Sequence, residues 1–442
     1  MRGDMGGLFL GIAVFALWGA AAGSARLLTV PAAFLGFIVL GRTLSLIVDG
    51  RSDGARSLAV ELLLLAFVLL PLFSLRHRQQ HRVGGGRFLL FIPVLAVVLM
   101  ATGLLFQRPL GMALMRRTLQ RSFQGQFFAT LPDGLHAGLC GSGSPLPDAT
   151  RAGPCVFVIA GEHMYVVDAG EGSPRKLALM GLPAGIVDGI FITHFHSDHI
   201  GGLGEMMLQR WTNTGHSEPV PVFGPQGVEQ VVNGYNDAYR QDAGFRVAHH
   251  GAETMPPAGT GGTARPFTLE KGSGSGQVVL QVDGLTVTAF GVDHTPVFPA
   301  AGYRFDYKAR SIVVSGDTAP SATLEKYSKG VDVLFHEGLQ TTMVQAMHDG
   351  AVEYGRKTLA KITADIPSYH TRPEDAARIA QRAGVRYLMF YHTIPPLPVS
   401  YLNAVFLGDA PAIYRGPITV GKDGMMLSMP PGGTAVMLRE LL

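Results

Sequence analysis

Apolar residues along the chain follow two patterns, and the change between them falls near residue 107. Before it, nearly continuous apolar runs occupy residues 6–25, 27–48, 57–75 and 88–106. A helix of about 20 such residues crosses the hydrocarbon core of a bilayer. The pattern therefore predicts about four transmembrane helices over residues 1–107. Arg42 interrupts the second run, which reads as a shorter or re-entrant segment, or as a helix whose arginine faces a neighbour. A cleaved signal peptide competes for the first run, but Asp4 offsets Arg2 and three further apolar runs follow, so an intact anchor is favoured. Arg76, Arg78, Arg82 and Arg87 precede the last run, and Arg108, Arg116, Arg117 and Arg121 follow it. These two groups balance, and positive charge alone does not orient the chain.

Residues 108–130 form a basic, partly amphipathic linker that reads as a solvated helix or as a contact for anionic lipid headgroups. From residue 131 to 442 the pattern changes to short apolar and β-branched runs ending at turn residues. Strands are predicted over 156–160, 164–167, 190–193, 278–282, 285–290, 311–314, 331–335 and 387–390, and a helix over 373–383. This is the texture of an α/β sandwich of sheets flanked by helices. Residues 248–276 are rich in Gly, Pro, Thr and Ser with little periodicity, and read as an insertion loop or a lid.

Charge and cysteine content narrow the picture. Lys and Arg number 36 against 33 Asp and Glu, a net charge of +3. No global basic field exists, which argues mildly against a polyanionic substrate and leaves only local patches for nucleic acid. Cys140 and Cys155 are the only cysteines in the sequence. They read either as small core residues or as one disulfide between neighbouring strands, and the latter requires an oxidising compartment. That second reading favours an integral membrane protein of the bacterial inner-membrane type with its catalytic domain outside the cytoplasm.

The densest chemistry lies in Thr193-His194-Phe195-His196-Ser197-Asp198-His199, directly after an apolar strand. Neutral imidazoles and carboxylates are the ligands a hydrolytic divalent cation requires, with one position left open for water. His194 and His196 alternate with Phe195 and can point the same way, while Asp198 and His199 can reach a second ion across the turn.

This loop resembles the signature of the metallo-β-lactamase superfamily, whose fold is an αββα sandwich. Asp168-Ala169-Gly170-Glu171-Gly172 is similar to the acidic turn that ends an early strand there. Asp293-His294-Thr295-Pro296 followed by Gly302-Tyr303-Arg304-Phe305 resembles the ribonuclease Z and arylsulfatase-like branch. Ser315-Gly316-Asp317-Thr318 looks like the bridging-aspartate motif, and His392 fits the final histidine. The resemblance implies one metal on His194, His196 and His294, another on Asp198, His199 and His392, and Asp317 between them. It also implies two divalent ions, Zn2+ first, with Mn2+ or Fe as alternatives. His336-Glu337-Gly338-Leu339 and His370-Thr371 are similar to the branch's later motifs, which bind the scissile group, orient a histidine and protonate the leaving oxygen. With Asp198 these make His336, Glu337 and His370 the expected catalytic residues. The remaining histidines, among them His136, His163, His216 and His348, match no motif and read as loop or surface residues.

The expected activity is hydrolysis of a small sulfate or phosphate ester by a metal-activated water. A ribonuclease Z-type phosphodiesterase is the alternative, and a non-catalytic metal-binding membrane protein a second. The loop 145–152 keeps Arg151 but lacks the lysine and asparagine of the ribonuclease Z pattern, and 248–276 lacks the basic character of a transfer-RNA clamp. The resemblance makes a homodimer an expectation as well.

Overall fold

The computed structural model describes residues 107–124, 127–270, 272 and 274–442, with a few isolated positions between Trp18 and Leu69. The chain divides into two compact units, Met1–Gln124 and Gly125–Leu442. In the first, the helix Gln107–Gln124 carries Arg108, Arg116 and Arg117, and these side chains are exposed together with Met112, Leu114, Met115 and Leu119. The four expected spans fall outside the described residues. Among the described residues no helix is long and apolar enough to cross a membrane. This corrects the expectation of an integral membrane protein, with a lipid bilayer as partner and a catalytic domain outside the cytoplasm. Gln107–Gln124, the one complete helix described in this unit, is long enough but interrupted by arginines.

The second unit contains two sheets. Its strands are β1 (Leu135–Gly141), β2 (Cys155–Ala160), β3 (His163–Val167), β4 (Gly189–Phe191), β5 (Val220–Pro225), β6 (Gly262–Phe267), β7 (Gly276–Val282), β8 (Leu285–Gly291), β9 (Ala301–Tyr307), β10 (Arg310–Val314), β11 (Val333–Leu339), β12 (Tyr387–Ile394), β13 (Ile418–Val420), β14 (Met425–Met429) and β15 (Met437–Glu440). One sheet has the order β15-β14-β1-β2-β3-β4-β5-β6, and the other β13-β12-β11-β10-β9-β8-β7.

Successive side chains on a strand face opposite sides, and here both sides are covered. Val156, Val158 and Ala160 of β2 enter the core between the sheets, where they meet Val287, Phe305, Phe335 and Met389. Cys155, Phe157 and Ile159 face the other way, under the helices Ser173–Leu179 and Leu203–Thr214. On the second sheet Val333 and Phe335 point inward, while Leu334 packs with Ala376, Ala380 and Ile379 of the helix Pro373–Ala383. The result is helix, sheet, sheet, helix. Burial on both faces is why these strands appear in the sequence as unbroken apolar runs.

Residues 248–276 are not a structureless insertion. The helix Val228–His250 runs into them, and β6 pairs in parallel with β5. Pro266 is tolerated because β6 is the edge strand of its sheet. Cys140 and Cys155 form a disulfide between β1 and β2, with Cα atoms 4.9 Å apart. His136 is also not a surface residue: it is buried on β1, with Nδ1 3.0 Å from Ser428 Oγ.

Candidate metal centre

The chemistry gathers where strands of both sheets end. Asp168 follows β3, and residues 193–199 follow β4. His294 lies after β8 and Asp317 after β10, while Glu337 and His392 lie near the ends of β11 and β12. Two hydrogen bonds, one from a backbone N–H and one from a side chain, fix the seam between the sheets at this end. Ala301 N–H donates to Thr193 O at 2.9 Å, and Tyr303 O–H donates to Ile192 O at 2.5 Å.

Two groups of potential ligands converge there. In the first, His194 Nε2 is 3.0 Å from His196 Nδ1, and His294 Nε2 is 3.4 Å from the same atom. Asp317 Oδ2 stands 3.9 Å from both His194 Nε2 and His294 Nε2. In the second, Asp198 Oδ2 lies 3.5 Å from His199 Nε2 and 3.2 Å from His392 Nε2. Asp317 reaches this group too, with Oδ1 3.4 Å from His199 Nε2 and Oδ2 3.3 Å from His392 Nε2. Ligands about 2.0–2.1 Å from one tetrahedral ion stand about 3.3 Å from each other, which is the spacing found here.

The donor set tests well for a cation. His199 Nε2 and Asp317 Oδ1 are buried with no hydrogen-bond partner, which is costly unless something positive or polar lies between them. The outer nitrogens of two rings are fixed: His199 Nδ1–H donates to Asp168 Oδ2 at 2.8 Å, and His294 Nδ1–H to Tyr369 O at 3.0 Å. Each bond leaves Nε2 as the inward lone pair. Asp168 also accepts from the Thr193 N–H at 2.8 Å, so one buried carboxylate sets both the loop and its last histidine.

Burial pushes His194, His196 and His294 below the usual imidazole range, favouring the neutral form that binds metals. Burial also opposes charge on His199, but Asp317, Asp198 and Asp168 outweigh it and raise that ring well above its ordinary value. At Asp317 burial works against the carboxylate, and His392 and His199 overcome it, holding the group well below its usual range. A bound cation's own charge would add to these interactions, keeping the imidazoles neutral and the carboxylates ionised.

Glu337 and His370 form a second layer. His370 Nδ1–H donates to Glu337 Oε1 at 3.1 Å, and the Thr371 N–H to the same oxygen at 2.9 Å. A ligand atom of His370 then lies within 4.8 Å of Asp317 and His392. Burial disfavours a charged His370, yet Glu337 and Asp317 raise its pKa overall.

His336 is not brought to this cluster. It is fully buried, its Nδ1–H donates to Glu337 O at 2.7 Å, and its Nε2 has no partner. Neighbours on a strand face opposite ways, so Glu337 and His336 cannot both face the metals. Arg151 turns away as well, donating to Ser142 Oγ at 2.8 Å and Gly421 O at 2.5 Å. Motif reasoning quoted Asp168 without giving it a role in the site, and did not reach Tyr369. The acidic turn after β3 was a signal for Asp168, whereas Tyr369 carries none.

A family model described as "Metallo-beta-lactamase superfamily" matches residues 149–392, more than half of the chain. The chain belongs to the metallo-β-lactamase superfamily and is a metal-dependent hydrolase of ester or phosphodiester bonds. Among known proteins it is similar to ribonuclease Z of Mycobacterium sp. (strain KMS), 33% identical over 295 residues, or 66% of this chain and 96% of the relative. Ribonuclease Z of Mycobacterium avium (strain 104) is 35% identical over 287 residues, covering 64% and 95%. Of solved structures, the short form of human tRNase Z aligns with a TM-score of 0.47 and 21% identity, over 67% of this chain and 99% of that one. The metallo-β-lactamase fold protein YhfI from Bacillus subtilis aligns at 0.47 and 17%, over 67% and all of its length.

Proposed function

We propose that the chain is a ribonuclease Z-type phosphodiesterase that cleaves RNA, with a transfer-RNA precursor as the first substrate to test. This replaces the small sulfate ester as the leading reading, because the similar proteins that span this domain are ribonucleases Z. The observation that carries it is the pairing of seven convergent ligands with a His370–Glu337 couple beside Asp317. A nucleoside leaving as an alkoxide needs a proton, and a sulfate ester with an acidic phenol does not.

His194, His196, His294, Asp198, His199 and His392 would hold two divalent cations, zinc being the default, with Asp317 shared. Bound there, such ions supply Lewis acidity toward the phosphoryl group and lower the pKa of a nucleophilic water. Asp198, whose Oδ2 stands beside His199 and His392, would orient the nucleophile and accept its proton. Glu337 fixes His370 through Nδ1 and leaves Nε2–H to protonate the leaving oxygen. His196 is exposed, in contrast to the buried His194 and His294, and so marks the side from which substrate enters.

The test is an assay of the purified full chain, loaded with Zn2+ or Mn2+, on a 3′-extended precursor transfer RNA, on bis(p-nitrophenyl) phosphate and on p-nitrophenyl sulfate. Cleavage of the RNA and the phosphodiester is expected. Turnover of the sulfate with none of the RNA would sink the reading.

A further inference from the structure

Tyr369 sits at the centre of a feature that the ligand scheme does not use. Its ring centroid is 5.3 Å from that of His294 and 5.0 Å from that of His370, and those two imidazoles are 5.3 Å apart. The three rings form a nearly equilateral triangle that joins a ligand of the first group to the histidine held by Glu337. Tyr369 is anchored by its backbone: its carbonyl accepts the His294 Nδ1–H at 3.0 Å, and its own N–H reaches Ile366 O at 3.4 Å. The side chain is only partly buried. Packing alone does not require an aromatic ring with one side open to solvent beside the proton donor.

We infer that Tyr369 is a substrate-contacting residue, whose ring is the platform on which the aromatic part of the leaving group stacks. The inference rests on the phosphodiesterase reading of the site, and it names the class of leaving group: a nucleoside in RNA, or any aryl alcohol on a small diester. Placement supports this. A leaving oxygen within reach of His370 Nε2 puts the group attached to it next to the Tyr369 ring. Base-on-aromatic stacking tolerates any sequence, since every base has a π-face.

The experiment compares the metal-loaded full chain with its Tyr369→Phe and Tyr369→Ala variants. Steady-state kinetics are measured on precursor transfer RNA and on bis(p-nitrophenyl) phosphate, and metal content per chain is measured by mass spectrometry. Tyr369→Ala is expected to raise KM about fivefold or more on each substrate that the wild type turns over. Tyr369→Phe should stay near wild type. Metal content should be unchanged in both, because the carbonyl that holds His294 belongs to the backbone. An unchanged KM in Tyr369→Ala overturns the inference. Loss of metal in that variant also overturns it, by showing that the ring only props His294. If the wild type cleaves the small diester but not RNA, the RNA reading fails while the small diester still decides the role of Tyr369.

Discussion

Asp198 and Asp168 are both buried carboxylates beside His199, and they do different work. Asp198 has its Oδ2 among the imidazoles, near His199 Nε2 and His392 Nε2, whereas Asp168 holds His199 and Thr193 from behind. Replacing Asp198 with Ala should abolish turnover while leaving the circular dichroism spectrum and cooperative unfolding intact; near-normal activity would remove it from the mechanism. Asp168→Ala should keep every ligand and weaken metal binding by about 10- to 100-fold, read by titration against a chelating dye. At this scale the sequence was most legible where ligands are dense. Four of the seven lie within residues 194–199, and no packing role calls for that spacing. His336 stands apart from the ligand groups, because a motif names neighbouring residues without saying which way each points. Alternation along β11, with its irregularity between His336 and Gly338, decides that. Tyr369 was invisible because its ring meets, besides its neighbour His370, a ring that is distant in sequence, that of His294.

Elements that are buried on both faces, such as β2, β10 and β12, were legible as apolar runs. Elements poor in β-branched and large apolar residues were not: β1, though buried throughout, reads Leu-His-Ala-Gly-Leu-Cys-Gly, whereas the exposed edge strand β7 keeps its valines and was legible. β6 contains Thr, Ala, Arg and Pro, and its strand character comes from pairing with β5 rather than from its own side chains. The same distinction governs what can be removed. The Cys140–Cys155 bridge closes a loop with a sequence separation of 15 between β1 and β2. Replacing both cysteines with Ala should lower stability by about 3 kcal/mol, measured by denaturant unfolding with and without reductant; only the parent should respond to the reductant. His163 ties β3 to its surroundings through Asp283 Oδ2 at 2.8 Å and Asp188 Oδ2 at 3.2 Å. The Asp283 hydrogen bond is the main cause that raises its pKa; burial opposes it and Asp188 adds to it. A raised pKa in the folded state means the contribution is complete below the unfolded histidine value, about 6.5, and is lost as pH rises through the folded value. His163 is half-buried but its main partner Asp283 is exposed, so the gain is at most about 1 kcal/mol. The stability difference between wild type and His163→Ala should therefore shrink from pH 5 to pH 8, and a constant difference would show that the ion pairs contribute nothing.

For the molecule as a whole, the Gly125–Leu442 unit holds a site whose buried groups are satisfied only in part by one another. Chelation should abolish activity and lower the melting temperature, and excess Zn2+ should restore both. The stabilisation should grow with metal concentration, reaching about 4 kcal/mol at a thousandfold excess over Kd. A melting temperature indifferent to chelator would contradict the metal assignment. The sandwich and its sequence of strand-end ligands were readable from the order of motifs. Apolar runs near the N-terminus, by contrast, suggested spans, and no helix among the described residues supplies one.

His194, His196, Asp198 and His199 hang from the end of β4 in one sheet, while His294, Asp317 and His392 belong to the other. Neither sheet owns a complete set of ligands for either group. A cation held there would thus act as a clasp across the seam, and its affinity and the docking of one sheet on the other would be two readings of the same free energy.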